Sequence, residues 1–187
     1  FVKEIERGIN ENGGKGAKYF TTDICDGQAQ GHDGMNYSLA SREFIADMIE
    51  IQAGATPFDA GVFVASCDKG MPANLMAAAR LNIPSIVFTG GIMAAGPNML
   101  TLEQLGTYSA RFERGEITKE EFCYAKENAC PSCGACSFMG TASTMQVMAE
   151  ALGLALPGTA LLPAISPDLM TKAYEVGVRA LELAKEG

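Results

Sequence analysis

Hydrophobic positions along this chain follow two patterns in alternation: helical spacing and short continuous runs. Phe1, Ile5 and Ile9 recur at helical intervals, and Gly13-Gly14 ends the pattern, so a helix is expected over Phe1–Asn10. Ala17–Thr22 is a short strand candidate. Asp23–Met35, rich in Gly, Asp and Gln, is too polar for a strand and is expected as a loop. Phe44, Ile45, Met48, Ile49 and Ala53 then mark a helix over Glu43–Ala53, with Ser38 as its expected N-cap. Asp59–Ser66 contains the uninterrupted run Ala-Gly-Val-Phe-Val-Ala, which suits a strand buried on both faces. Pro72 fits a first helical turn that continues through Ala73–Leu81. Pro84–Thr89 is a third buried strand, ended by Gly90-Gly91.

The order strand, helix, strand, helix, strand predicts an α/β fold: a parallel sheet with helices on both faces, in three α/β/α layers. The second half is mainly helical. Leu102–Glu113 and Thr118–Lys126 are helix patterns, and Thr118 with Glu121 has the capping-box spacing. Ser137–Leu152 is a longer helix, Leu156-Pro157-Gly158 a turn, and Leu161–Ala164 a short extended piece. Ser166 caps a closing helix over Pro167–Lys185.

Composition narrows the function classes. The 187 residues carry 14 Lys and Arg against 22 Asp and Glu, a net charge of −8 with no basic patch, which argues against nucleic acid as a partner. No apolar stretch approaches the roughly 20 residues of a membrane span, and no signal-peptide pattern is present. Six cysteines without secretory features suggest metal-binding or catalytic thiols and a cytoplasmic setting.

In open parallel sheets ligands bind beyond the carboxyl ends of the strands. Cys25-Asp26, Cys67-Asp68-Lys69 and Gly90-Gly91 would all stand on that edge. Asp68 suits a hard cation such as Mg²⁺. Lys69 could pair with Asp68, bind an anion, or become a ligand itself as a carbamate, while an N-capping Asp with a solvated Lys is the bland alternative. The run Cys130-Pro131-Ser132-Cys133-Gly134-Ala135-Cys136 offers three thiols just before a helix pattern. A zinc site would need a fourth ligand from His32, Cys25, Cys67 or Cys123. An iron–sulfur cluster is the other metal option, and buried small hydrophobes are the structural one. Cys136 at a helix start would have its thiolate favoured by the helix dipole.

Five segments resemble the N-terminal part of the dihydroxy-acid dehydratase and phosphogluconate dehydratase family. They are Cys-Asp-Gly-Gln-Ala-Gln-Gly-His-Asp-Gly-Met with the following Tyr-Ser-Leu-Ala-Ser-Arg-Glu, Ser-Cys-Asp-Lys-Gly-Met-Pro, Thr-Gly-Gly-Ile-Met-Ala-Ala-Gly, Ala-Cys-Pro-Ser-Cys-Gly-Ala-Cys-Ser, and Gly-Thr-Ala-Ser-Thr-Met with Glu-Ala-Leu-Gly-Leu-Ala-Leu-Pro-Gly. The resemblance runs from about Ile9 to the end and preserves the order of the motifs. It implies a hydro-lyase that converts 2,3-dihydroxy acids to 2-keto acids with an iron–sulfur cluster ([2Fe-2S] or [4Fe-4S]) and Mg²⁺. By motif, Cys67 and Cys136 are implied as cluster ligands. Asp26, Asp68 and a carbamylated Lys69 are implied to hold Mg²⁺, with Lys69 in a catalytic role and Cys130 and Cys133 outside the ligand set. It further implies that residues 1–187 form the N-terminal cluster- and Mg-binding domain of a longer dehydratase, inactive alone. A third cluster cysteine upstream of Phe1, a C-terminal domain with further ligands, and a homodimer are expected. The third motif departs from the usual pattern, with Ile92 where Pro is common. The favoured substrate is a branched-chain dihydroxy acid of amino-acid biosynthesis. The alternatives are a sugar-acid dehydratase of the same family and, in another class, a non-catalytic zinc or cluster-binding module built on the cysteine run.

Overall fold

A computed structural model describes all 187 residues. Its elements are α1 (Val2–Glu11), α2 (Asp26–Ala29), α3 (Ser38–Gly54), β1 (Gly61–Ala65), α4 (Gly70–Leu81), β2 (Ser85–Thr89), α5 (Leu105–Glu113), α6 (Lys119–Asn128), α7 (Thr141–Ala151) and α8 (Pro167–Glu186). The two strands are parallel, with Gly61 opposite Ser85 and Ala65 opposite Thr89.

The strand interiors are apolar, and β2 is covered on both faces. On β2, Ile86 and Phe88 pack with Ile5 of α1 and with Leu169, Ala173 and Val176 of α8. Val87 points the other way, with Phe63 of β1, to Met71 and Ala77 of α4 and Ala149 of α7. The period-two alternation therefore sends successive side chains into two separate cores, and the α/β/α layering expected from the sequence is present. Helices α1 and α8 close one side at backbone contact. A Cβ on Gly8 would stand 2.3 Å from the Tyr174 carbonyl oxygen, and one on Gly177 2.1 Å from that of Ile5.

The sheet is narrower than expected. Ala17–Thr22 is not a strand: it runs along a cavity of about 690 Å³ that separates it from β1. Its neighbours hold it by side chains instead. Lys18 pairs with Glu6 at 2.6 Å, and the Tyr19 ring meets Phe58 edge-on at 5.6 Å. The run makes no ladder with β1, and its large side chains stay outside the core, with Tyr19 53% and Phe20 77% exposed. In place of a third strand, β2 is flanked by loop backbone. Val87 N–H donates to Leu154 O at 2.7 Å, and beyond the strand Ile92 bridges to both Ala135 and Pro163. The second of these is the extended piece expected at Leu161–Ala164.

Most helix boundaries agree with the pattern, and the caps show why. Thr118 and Glu121 form the reciprocal capping box of α6, and Ser166 Oγ accepts from Asp168 N at 3.1 Å to start α8. The segment expected as one helix over Leu102–Glu113 opens with a 3₁₀ turn, Leu102–Gln104. α7 starts at Thr141, later than expected, because Met139 just before it takes a left-handed conformation at φ +58°.

The turn after α7 hangs on one carboxylate. Glu150 Oε1 accepts from Gly158 N at 2.7 Å and Oε2 from Ala160 N at 2.8 Å, and these bonds hold its pKa below the ordinary glutamate range. Glu150→Ala is expected to cost about 2 kcal/mol at neutral pH, the scale of hydrogen bonds to a charged acceptor. Because the folded pKa is depressed, that contribution is present above the ordinary glutamate range. It vanishes as pH falls through the folded value. Denaturant titrations of both proteins across that range should converge in acid, and a gap independent of pH would refute the assignment.

Candidate active site

The loops that follow the amino-terminal helix and β1 meet at the carboxyl end of the sheet. Cys67-Asp68-Lys69 leads from β1 into α4, with Lys69 at the N-cap position. Asp26 opens the single turn α2, and Ser38 opens α3. These pieces converge on one point. Lys69 Nζ donates to Asp26 Oδ2 at 2.8 Å and also to Asp68 Oδ2, while Ser38 Oγ donates to Asp26 Oδ1 at 2.6 Å. Ser38 is thus not the N-cap that the sequence suggested. Tyr37 holds that position, and the hydroxyl is spent on orienting Asp26.

The three charges are mostly sheltered, with side-chain exposures of 13% for Lys69, 23% for Asp26 and 21% for Asp68. Burial alone would raise the Asp26 carboxyl, but hydrogen bonds from Lys69 and Ser38 outweigh it and hold the pKa below the ordinary value. Burial would likewise lower Lys69, yet its bonds to Asp26 and Asp68 hold it up. Beside them, Asp23 is pushed up, chiefly by burial, and its Oδ1 accepts from Ile24 N at 2.9 Å.

Cys67 is half-buried, and its thiol donates to Ile24 O at 3.4 Å. Burial pushes it up to about 11, so without a cationic partner it stays a thiol. Cys136 does not start a helix. It follows Ala135, which is bound into the sheet extension, and α7 begins only at Thr141. The dipole argument for its thiolate therefore fails, and it is the bridge of Ala135 to Ile92 that brings the segment to the end of β2. The loop is fixed by backbone: Ala135 N–H donates to Gly91 O at 2.9 Å and Met93 N–H to Ala135 O at 2.8 Å. Gly134, at φ +115°, lies so close to Ile92 and Met93 that a Cβ would stand 2.6 Å from the Ile92 carbonyl carbon. Gly91, at φ +80°, is packed as tightly against Leu169 and Ala164. The Gly90-Gly91 pair is thus a packing device, and Gly90 N–H is already bound to Ala65 O at 3.0 Å.

All six cysteines are free, and no three His, Cys, Asp or Glu side chains converge as a ready metal cage. His32 is used within its own loop, with Nε2 on Gln28 O at 2.8 Å and Nδ1 accepting from Gly34 N at 3.0 Å. It is not a fourth ligand for the cysteine run. Cys133, set aside in the sequence, lines a cavity of about 270 Å³ with Asp23, Ser66 and Gly90. Its spacing carried no sign of that, because only the sheet extension brings the run to this edge. The Asp26–Lys69–Asp68 cluster suits a hard cation, since two carboxylates already face one positive centre and such an ion accepts one or two carboxylates with water elsewhere. Cys67 and Cys136 supply soft donors on the same edge.

The N-terminal model of the dihydroxy-acid/6-phosphogluconate dehydratases matches residues 1–187. Similar curated proteins include the dihydroxy-acid dehydratase of Caldanaerobacter subterraneus subsp. tengcongensis, 47% identical over 187 residues. That of Moorella thermoacetica is 44% identical over 188 residues. The match takes in 98% and 99% of this chain respectively, and 34% of each relative. The chain thus spans about a third of the length of the curated relatives it matches.

Removing the ammonium should set the two carboxylates against each other. Lys69→Met is expected to lower stability by about 2 kcal/mol, less than a fully buried pair because water reaches the cluster. Millimolar Mg²⁺ should recover part of the loss in Lys69→Met, while Asp26→Asn/Lys69→Met should gain less. Thermal melts with and without MgCl₂ check this, and equal recovery in both variants would rule out a cation held by the carboxylates.

Proposed function

Because this chain belongs to the dihydroxy-acid/6-phosphogluconate dehydratase family, we propose that it serves a hydro-lyase converting a 2,3-dihydroxy carboxylic acid to a 2-keto acid. The observation that carries this reading is the convergence of Asp26 and Asp68 on one cationic point, with Cys67 next to Asp68 in sequence. In the proposed enzyme Asp26, Asp68 and Lys69 as a carbamate hold Mg²⁺. Cys67 and Cys136 hold an iron–sulfur cluster, [2Fe-2S] or [4Fe-4S], whose remaining ligands come from outside these residues. When bound, the two centres supply Lewis acidity toward the acid end and the departing 3-hydroxyl of the substrate.

The protein's own groups prepare that chemistry. Ser38 and Lys69 keep Asp26 ionised and oriented, so a hard cation meets charged donors rather than protonated ones. The nitrogen of Lys69 lies between the two carboxylates, which gives it both a holding and a catalytic assignment. Val64, Ala65 and Ala164 wall the neighbouring cavity and provide an apolar surface suited to a branched carbon chain. The relatives' names specify a dihydroxy acid, and within that class we assign the substrate to the branched-chain dihydroxy acids of amino-acid biosynthesis. A sugar acid is the second reading, because the family description covers phosphogluconate dehydratases as well. The active form is proposed as a cytoplasmic homodimer that includes a C-terminal domain. No helix here is long and apolar enough to cross a membrane.

The test uses full-length protein prepared anaerobically with Mg²⁺. A branched 2,3-dihydroxy acid should yield its 2-keto acid, and Cys67→Ser and Cys136→Ser should each lose bound iron while Cys130→Ser keeps it. Faster turnover of an aldonate would move the assignment to the sugar acids. Tetrahedral zinc lost in Cys130→Ser and retained in Cys67→Ser would replace the enzyme by a binding module.

A further inference from the structure

The buried stripe of α7 holds Ala142, Ser143, Gln146 and Ala149. Position 146 belongs to the face that an amphipathic helix ordinarily fills with aliphatic side chains. Gln146 is fully buried there, at 0% exposure. Its Nε2 donates to Gly91 O at 3.5 Å, and its Oε1 has no partner. Thr89 at the end of β2 is also 0% exposed, with an unpartnered hydroxyl. An unsatisfied amide oxygen in a packed core is unfavourable, so packing alone does not account for a glutamine at this position.

Its donor bond leads to the candidate site. The carbonyl of Gly91 is also the acceptor for Ala135 N–H at 2.9 Å, and Ala135 returns a carbonyl to Met93 N–H at 2.8 Å. Ala135 directly precedes Cys136. One oxygen therefore joins α7, the end of β2 and the cysteine loop. Gly134 packs on the same backbone, leaving the loop little room to take another register.

We propose that Gln146 is a positioning residue for Cys136: its amide fixes the Gly91 carbonyl against α7 and, through Ala135, sets where the Cys136 thiol stands at the strand ends. The inference rests on the reading of Cys136 as a metal-binding thiolate, but its effect on the loop is measurable without metal. Gln146→Met keeps the length and most of the volume of the side chain, deletes the donor and removes the unpaired oxygen.

In full-length, metal-free, reduced protein, the rate at which iodoacetamide alkylates Cys136 is followed by peptide mass spectrometry, with Cys67 as internal reference. Gln146→Met should raise the Cys136 rate about twofold, the lower end of what one net hydrogen bond supplies, since 3.5 Å is long for an N–H···O contact. Cys67 reactivity should hold, and melting should stay cooperative at a temperature no lower than that of the wild type. After anaerobic reconstitution with iron and sulfide, the paramagnetic resonance signature of the reduced cluster should shift. Unchanged Cys136 reactivity overturns the proposal. An equal rise at Cys67, or loss of cooperative melting, also overturns it, because either marks a general packing role. Wild-type protein that forms no cluster would count against the metal reading of Cys136, and the alkylation rates would still decide the role of Gln146.

Discussion

The rest of this structure depends on burying β2 from two sides. A strand with Ile86 and Phe88 on one face and Val87 on the other needs a helical layer against each, and the chain supplies α1 with α8 and α4 with α7. The parallel register with β1 then places both strands' carboxyl ends together. Everything chemically notable in the chain follows from that edge. Cys67, Asp68 and Lys69 leave from β1, and Gly90 and Gly91 leave from β2. The cysteine loop is drawn in because backbone groups past β2 still need partners. The sheet is small, yet its unpaired end recruits Ala135 and Pro163 and so widens the platform where it matters.

The charges at this edge form a sheltered network rather than a surface ion pair. Asp26 and Lys69 are each held in the charged form by their hydrogen-bond partners against the cost of burial. An exposed Lys–Asp contact would contribute little. Here the contacts define an orientation, since Asp26 is fixed on one oxygen by Ser38 and on the other by Lys69. Cys67 beside them is the opposite case, since burial favours its neutral thiol.

Local signals in the sequence were enough for the buried strands, the helices and their caps, because apolar runs, the Thr118–Glu121 spacing and Ser166 act on neighbouring residues. The same holds for Asp68 and Lys69, which chain topology sends to the end of β1, whereas Asp26 reaches that edge although the strand expected to carry it, Ala17–Thr22, does not form. Features decided by distant partners were not legible. Ala17–Thr22 has strand-like composition but did not win a place beside β1, where the cavity remains. Ser38 looked like a cap because no local rule announces Asp26 as its partner. Cys136 looked like a helix start because the pairing of Ala135 with Ile92 has no sequence signature. Gln146 was invisible for the same reason: its partner is a backbone carbonyl 55 positions away.

The contact between Gly8 and Gly177 bears on how such sequences diverge. Each glycine faces the other helix's backbone, so a side chain at either position forces the same displacement of α1 from α8. The two sites are therefore sterically coupled. A lineage that replaces one must reset the helix axes, after which the second is released from its constraint. The spacing of these two helices is thus set by what residues 8 and 177 lack, independently of the residues at the strand ends.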